Sequence, residues 1–146
     1  MIEYRSALKE DAAHLSLISN ECGGDRWSEV SFLNEFDHKS IIECCDCDGK
    51  IVAFAVVSVS FDEGYLHLIA VDSYFRKQGI ATKLLNHCEQ LAKKRGVCKI
   101  ILDVRISNNS AIKLYEKVDI IKSVRERIFI LTQQKMLLLW VRSFNK

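Results

Sequence analysis

The sequence predicts a mixed α/β fold, and three observations support that reading. Apolar runs from Ser40 to Cys47, Lys50 to Ser60 and Tyr65 to Val71 are bounded by turn residues and read as strands. Ala81, Leu84, Leu85, Cys88, Leu91 and Ala92 repeat at the i, i+3, i+4, i+7 spacing of one helix face. Helical and strand-like segments alternate along the chain, the pattern of helices packed on a sheet.

The elements follow in order. Ile2-Glu3-Tyr4-Arg5 reads as a short first strand, and Lys9 to Glu21 as a helix with apolar positions Ala12, Leu15, Leu17 and Ile18. Cys22-Gly23-Gly24-Asp25 is a turn, after which Ser28 reads as the N-cap of a helix through about Phe36. Ser40–Cys47 and Lys50–Ser60 flank Asp48-Gly49, a hairpin signal. Phe61-Asp62-Glu63-Gly64 turns the chain into the strand Tyr65–Val71. The next helix ends at Gly96, and Lys93, Lys94 and Arg95 suit the negative end of its dipole. A strand from Lys99 to Val104, a helix containing Leu114-Tyr115-Glu116, and strands near Ile120–Leu131 and Lys135–Arg142 complete the order. The expectation is about seven strands and about four helices.

At 146 residues the chain is expected to form one domain, residues 1–146, with a core of its own. The net charge of +2 gives no bulk electrostatic case for nucleic acid, and no basic stripe with interleaved aromatics occurs. No apolar run reaches membrane-spanning length, and the first residues lack the apolar core of a signal peptide, so a cytoplasmic protein without membrane partners is expected. The six cysteines are then expected to stay reduced. Cys44-Cys45-x-Cys47 lies in a strand-like run and lacks the paired Cys-x-x-Cys spacing of a zinc site, so no metal is expected. Cys88 and Cys98 read as small buried hydrophobes.

The most informative stretch runs from Leu66 to Leu85: a buried strand, a turn, the basic glycine loop Arg76-Lys77-Gln78-Gly79-Ile80-Ala81, and the start of the amphipathic helix. Free backbone N–H groups at the helix start converge with Arg76 and Lys77, and Gly79 lets a ligand approach the main chain. Such a helix terminus suits an anion, most naturally a phosphate or pyrophosphate. The loop is neither Gly-x-x-x-x-Gly-Lys-Ser/Thr nor Gly-x-Gly-x-x-Gly, so it matches neither a Walker loop nor a dinucleotide fingerprint.

Arg76-Lys77-Gln78-Gly79-Ile80-Ala81 fits Arg/Gln-x-x-Gly-x-Gly/Ala and resembles the pyrophosphate loop of the GNAT acetyltransferases. Downstream, Asn108-Asn109-Ser110-Ala111-Ile112-Lys113-Leu114-Tyr115-Glu116 resembles that family's Asn-x-x-Ala-x-x-Leu-Tyr-Glu segment. Arg26–Phe32, Val52–Ala55, Asp62-Glu63, Ile69–Asp72 and Lys94–Val97 are similar to a bacterial branch of the family that acetylates the N-terminal alanine of a ribosomal protein. The similarity runs from roughly Trp27 to Arg127. It implies a sheet splayed open after the Tyr65–Val71 strand, acetyl-CoA as donor, and transfer of acetyl to a protein N-terminal amine.

The resemblance also implies roles. Main-chain groups of Ile69 and Val71 hold the pantetheine arm, with the Val71 N–H facing the thioester oxygen. Main-chain N–H groups from Arg76, Lys77, Gln78, Gly79, Ile80 and Ala81 take the pyrophosphate, and Asn108 contacts the arm. Tyr115 acts as general acid for the leaving thiolate. Asp103 stands where a glutamate is the candidate general base, one methylene shorter, so that it reaches the amine directly or through a water. From the residues alone, a carboxylate inside Ile100-Ile101-Leu102-Asp103-Val104 needs a partner, and a salt bridge to Arg105 or Arg127 is the structural alternative. Tyr115 reads equally as a half-buried aromatic, and Ser107, Asn108 and Asn109 as N-caps.

Three departures from the resembled pattern concern the acceptor. Asp119-Ile120 replaces Gly-Phe, Ile128-Phe129-Ile130 lacks a tyrosine pair, and Thr132-Gln133-Gln134-Lys135 replaces a longer acidic loop. The expected partner is therefore a protein N-terminus or a small-molecule amine, with a non-catalytic acyl-CoA-binding module as the alternative class. The chain itself is expected to be a monomer or a weak homodimer.

Overall fold

A computed structural model describes residues 1–22, 26–102, 104–105, 109–117, 130–132 and 135–137. The strands are β1 (Ile2–Ser6), β2 (Ile41–Cys47), β3 (Lys50–Ser60), β4 (Glu63–Val71), β5 (Lys99–Leu102), β6 (Val104–Arg105), β7 (Ile130–Thr132) and β8 (Lys135–Leu137). The helices are α1 (Ala12–Glu21), α2 (Glu29–Asp37), α3 (Ile80–Lys94) and α4 (Asn109–Lys117), with 3-10 turns at Lys9–Asp11 and Ser73–Phe75.

Five strands form one sheet in the order β1-β2-β3-β4-β5, and three form a second in the order β6-β8-β7. Neighbours in the first sheet are antiparallel except β4 and β5, which are parallel and joined through α3. A parallel pair needs such a crossover, which places the intervening helix on one face. α3 covers that face, packing Leu84, Leu85, Cys88 and Ala92 over Ile41, Cys45, Ala55 and Leu66. α1 and α2 cover the other, where Leu15, Ile18 and Phe32 meet Ile42, Cys44, Phe54 and Val56. Alternation along β2 sends Cys44 and Cys45 to opposite faces, so the cysteine run does not converge on one point. Burial pushes the Cys44 thiol up to about 12.

The pairing of β4 positions everything that follows. With β5, among the described residues, it runs from Glu63↔Lys99 to Leu66↔Leu102. Lys99 Nζ meets Glu63 Oε1 at 2.9 Å at its start. A Cβ on Gly64 would lie 3.3 Å from both Ile100 Cγ1 and Val57 Cγ1, so the absent side chain lets three strands close there. Against β3, Val57 pairs with Leu66 and Val56 with Leu68, which leaves His67 as the extra residue of a bulge. From Leu68 to Val71 β4 keeps its β3 partner, and among the described residues no strand pairs with its other side. The splay expected at this strand is consistent with that pairing among the described residues.

Several boundaries differ from expectation. The strand expected over Lys99–Val104 is present on both sides of Asp103, which lies outside the described residues: Lys99–Leu102 pairs with β4, and Val104 pairs with Met136. β4 starts at Glu63 because the turn needs only Phe61 and Asp62. The first helix begins at Ala12 after a 3-10 turn. Its buried face is Ala12, Leu15, Ile18 and Ser19; Leu17 is 56% exposed. Ser19 takes the inner position because its Oγ accepts the Trp27 N–H at 2.9 Å. Cys98 is half-buried rather than buried, since it lies in the connection from Gly96 to β5. Ser28 caps α2 as expected, accepting from the Ser31 N–H at 3.2 Å. β7 and β8 run antiparallel, with Thr132 paired to Lys135.

Candidate active site

β4 ends at Val71, and Asp72 starts the turn that redirects the chain into α3. Asp72 Oδ1 accepts from the Tyr74 N–H at 2.9 Å, and the Asp72 N–H donates to the Val52 carbonyl at 2.8 Å. These bonds fix the exit of the strand. Lys77 and Gly79 then adopt left-handed backbone at φ 62° and φ 78°, which folds the loop back over the start of α3. Gly79 is the N-cap and supplies no side-chain oxygen to the first turn. Its missing Cβ would meet nothing within 4 Å, so the space over the helix terminus is open. Arg76, Lys77, Gln78 and Gly79 are exposed, while Ile80 is buried and anchors the turn to the core. Uncapped N–H groups, the positive end of the α3 dipole and two cations thus coincide in an open loop, and the residues present fit a pyrophosphate.

From this loop, β4 leads back along the splay. The side chains of Ile69 and Val71 pack on the α3 face, and the alternate residues Leu68 and Ala70 on the α1–α2 face. Among the described residues no strand pairs with this backbone on the β5 side. The Val71 carbonyl accepts from two side chains, Arg76 Nε at 3.2 Å and Cys22 Sγ at 3.3 Å. Burial raises the Cys22 thiol above its ordinary range, and the neighbouring Arg76 partly offsets this.

On the α1–α2 face, Trp27 is held by its backbone: Ser16 Oγ donates to its carbonyl at 2.9 Å, and its N–H reaches Ser19. The Trp27 ring lies 5.3 Å from Phe32 and 5.7 Å from His67, centroid to centroid. His67 also faces Tyr65 at 4.6 Å, and its Nε2 lies 2.7 Å from Ser58 Oγ.

The structure brings together Ile69, Val71 and Arg76–Ala81 as one continuous strand, loop and helix start. Asp103, Asn108 and Arg127 lie outside the described residues. Tyr115 falls on α4, where the backbone is described and the side chain is not. Cys22, Ser16, Ser19 and Ser58 carried no signal in the sequence, because their partners lie on other elements.

Residues 10–119 match the model of the Acetyltransferase (GNAT) family, and the chain belongs to that family. Over 90 residues it is 40% identical to the [ribosomal protein bS18]-alanine N-acetyltransferase of Escherichia coli K12, covering 62% of this chain and 61% of that protein. The matched segment thus spans about three fifths of that relative's length. The crystal structure of the ribosomal-protein-S18-alanine N-acetyltransferase from Escherichia coli superposes with a TM-score of 0.77 at 29% identity, covering 99% of this chain and 97% of that one. A PaiA N-acetyltransferase from Thermoplasma acidophilum, solved in complex with coenzyme A, shares the fold with a TM-score of 0.81 at 16% identity over 97% of this chain and 99% of that one. Among the described residues no helix is long and apolar enough to cross a membrane.

Proposed function

We propose that this chain transfers the acetyl group of acetyl-CoA to an amine, and specifically to the N-terminal α-amine of a protein. The observation that supports it most directly is the edge of β4 from Leu68 to Val71, which no strand pairs among the described residues, leading away from the uncapped α3 terminus. Backbone N–H groups from Arg76 to Ala81 hold the pyrophosphate, with Arg76 and Lys77 adding charge. Main-chain groups of Val71 and Ile69 hold the pantetheine arm, and the Val71 N–H faces the thioester oxygen. Acetyl-CoA supplies the activated acyl carbon. Asp103, directly or through a water, takes a proton from the amine, and Tyr115 gives one to the departing thiolate. Asn108 adds a contact to the arm. The amine attacks the thioester carbon directly, forming the amide as the carbon–sulfur bond breaks.

The acceptor follows from proton chemistry and from the relatives. An α-amine with a pKa near 8 is roughly a tenth neutral at pH 7, whereas a lysine near 10.4 is neutral in about one copy in 2,500. A lysine therefore asks about 3 kcal/mol more of deprotonation, a large demand on one short carboxylate. The named activity of the Escherichia coli relative points the same way. The short Thr132-Gln133-Gln134-Lys135 segment, where the resembled enzyme has a longer acidic loop, favours a second reading, a small-molecule amine.

Release of CoA with a panel of short peptides and small amines tests the proposal, with mass spectrometry placing the acetyl group. Peptides with a free N-terminus are expected to be acetylated there, and N-terminally blocked peptides carrying a lysine to be poor substrates. Modification at lysine, or turnover with small amines alone, excludes the N-terminal reading.

A further inference from the structure

The N–H and carbonyl of a strand residue point to one edge of the strand, and those of the next residue to the other. The Asp72 N–H donates to the Val52 carbonyl at 2.8 Å, so Asp72 turns its main-chain N–H to β3. Val71, opposite Ala53, therefore turns its N–H and carbonyl away from β3, and Ile69, opposite Ala55, does the same. These are the groups through which the pantetheine arm is proposed to be held. The Val71 carbonyl already accepts from Arg76 Nε at 3.2 Å and from Cys22 Sγ at 3.3 Å. A carbonyl oxygen has two lone pairs, so an amide N–H of the arm finds both taken. One donor has to leave. Cys22 is half-buried at the end of α1, whereas Arg76 is exposed and belongs to the loop that fits a pyrophosphate. A guanidinium that leaves a neutral carbonyl for a pyrophosphate exchanges an ordinary hydrogen bond for charge-assisted ones.

We infer that Arg76 is a latch that sets donor specificity: it covers the Val71 carbonyl until a pyrophosphate draws it away, and so admits the arm only as part of a donor that carries one. This rests on the acetyl-CoA reading given above and deepens it. A cation that merely attracts the donor helps the whole molecule and is indifferent to the arm alone. A side chain that also covers the anchor of the arm opposes the arm alone. Arg76 thereby disfavours acyl thioesters that have the same arm without the pyrophosphate, a repulsive element added to an attractive one.

The test is an NMR titration of the 15N-labelled chain with CoA, with pantetheine and with inorganic pyrophosphate, on wild type and on Arg76→Met. Methionine keeps an extended stem and has no N–H to give. Arg76→Met is expected to weaken CoA about tenfold and to tighten pantetheine about threefold, opposite signs from one substitution. In wild type, saturating pyrophosphate should tighten pantetheine by the same factor, and in Arg76→Met it should leave pantetheine unchanged. The Arg76 Nε–H signal should shift as pyrophosphate is added, because its partner changes. Thermal melting checks the fold of the variant; should it be lost, the coupling in wild type and the Arg76 Nε–H signal decide. Weaker binding of both CoA and pantetheine in Arg76→Met overturns the latch and makes Arg76 a support of the loop. Unchanged or undetectable pantetheine binding in the variant overturns it too, leaving a charge alone. So does an Arg76 Nε–H signal indifferent to pyrophosphate. If wild type binds no CoA at all, the acetyl-CoA reading itself fails and the latch falls with it; CoA binding without the coupling removes the latch alone.

Discussion

The thiol of Cys22 donates to the carbonyl of Val71 across 3.3 Å, joining residues 49 apart in sequence. It ties the end of α1 to the end of β4, at the strand that borders the proposed donor site. Alkylation there would push a bulky group against Val71. In a Cys47→Ser, Cys98→Ser background, iodoacetamide is expected to abolish acetyl transfer, whereas Cys22→Ser should retain most activity because a hydroxyl can make the same bond. Peptide mapping of the inactivated protein identifies the modified residue. Because burial raises this thiol, inactivation should be slow at neutral pH and quicken as the pH rises above the ordinary thiol range.

Gly79 is the residue over which a phosphate would lie. Acetyl-CoA should raise the melting temperature by mass action, and ATP and NAD should not. Gly79→Asp is expected to abolish the shift, because it places a carboxylate at the anion site and forces an ordinary residue into φ 78°. The melting temperature of the unliganded variant separates the two effects: strain lowers it, and charge at the site removes only the ligand shift. Equal stabilisation of wild type by ATP would contradict the assignment of the loop.

Tyr115 and Asp103 are proposed to move the protons. Tyr115→Phe should lower kcat about a hundredfold or more while leaving the affinity for acetyl-CoA nearly intact. Asp103→Asn should cost most at low pH, where less of the amine is neutral and a base matters more. Steady-state rates from pH 6 to 9, with acetyl-CoA affinity measured in parallel, decide both roles; wild-type rates throughout would leave these residues structural.

Arg5 and Asp11 form a paired contact at 2.8 and 3.3 Å, and Arg5 also reaches Asp46 at 3.3 Å. The Arg5 guanidinium, assisted by the Leu8 N–H, holds the Asp11 carboxyl below its usual range. A carboxylate lowered by folding stabilises the fold fully above its unfolded value, near pH 4, and loses that contribution as the pH falls through the lowered value. Asp11→Asn is thus expected to cost about 1 kcal/mol at neutral pH, and the difference from wild type should shrink below about pH 4. Urea melts at pH 7 and pH 3 measure it.

The strand before the loop, the loop itself and the helix after it were legible because their signals are local. Glycine at the cap, cations beside it and apolar residues at helical spacing act within a few residues of one another. The same holds for Ser28 as a cap and for the Asp48-Gly49 turn. Leu17 shows the limit: a periodic pattern placed it on the buried face, and the need of the Trp27 backbone for a partner put Ser19 there instead. The partners of the Lys99–Val104 strand were likewise not legible, since Lys99–Leu102 pairs with β4 and Val104 with Met136.

By itself the sequence determined the α/β class, the order of elements and the basic glycine loop at Arg76–Ala81, since turn chemistry and side-chain periodicity are properties of short segments. Only the tertiary structure decided that His67 is the extra residue of the β3–β4 bulge, that Trp27 and Ser58 meet it, and that Cys22 reaches Val71. Those facts depend on strand register and on bonds between distant elements. A one-residue slip at Val56 and Val57 re-aims every side chain beyond it, and no pattern within β4 alone records that slip.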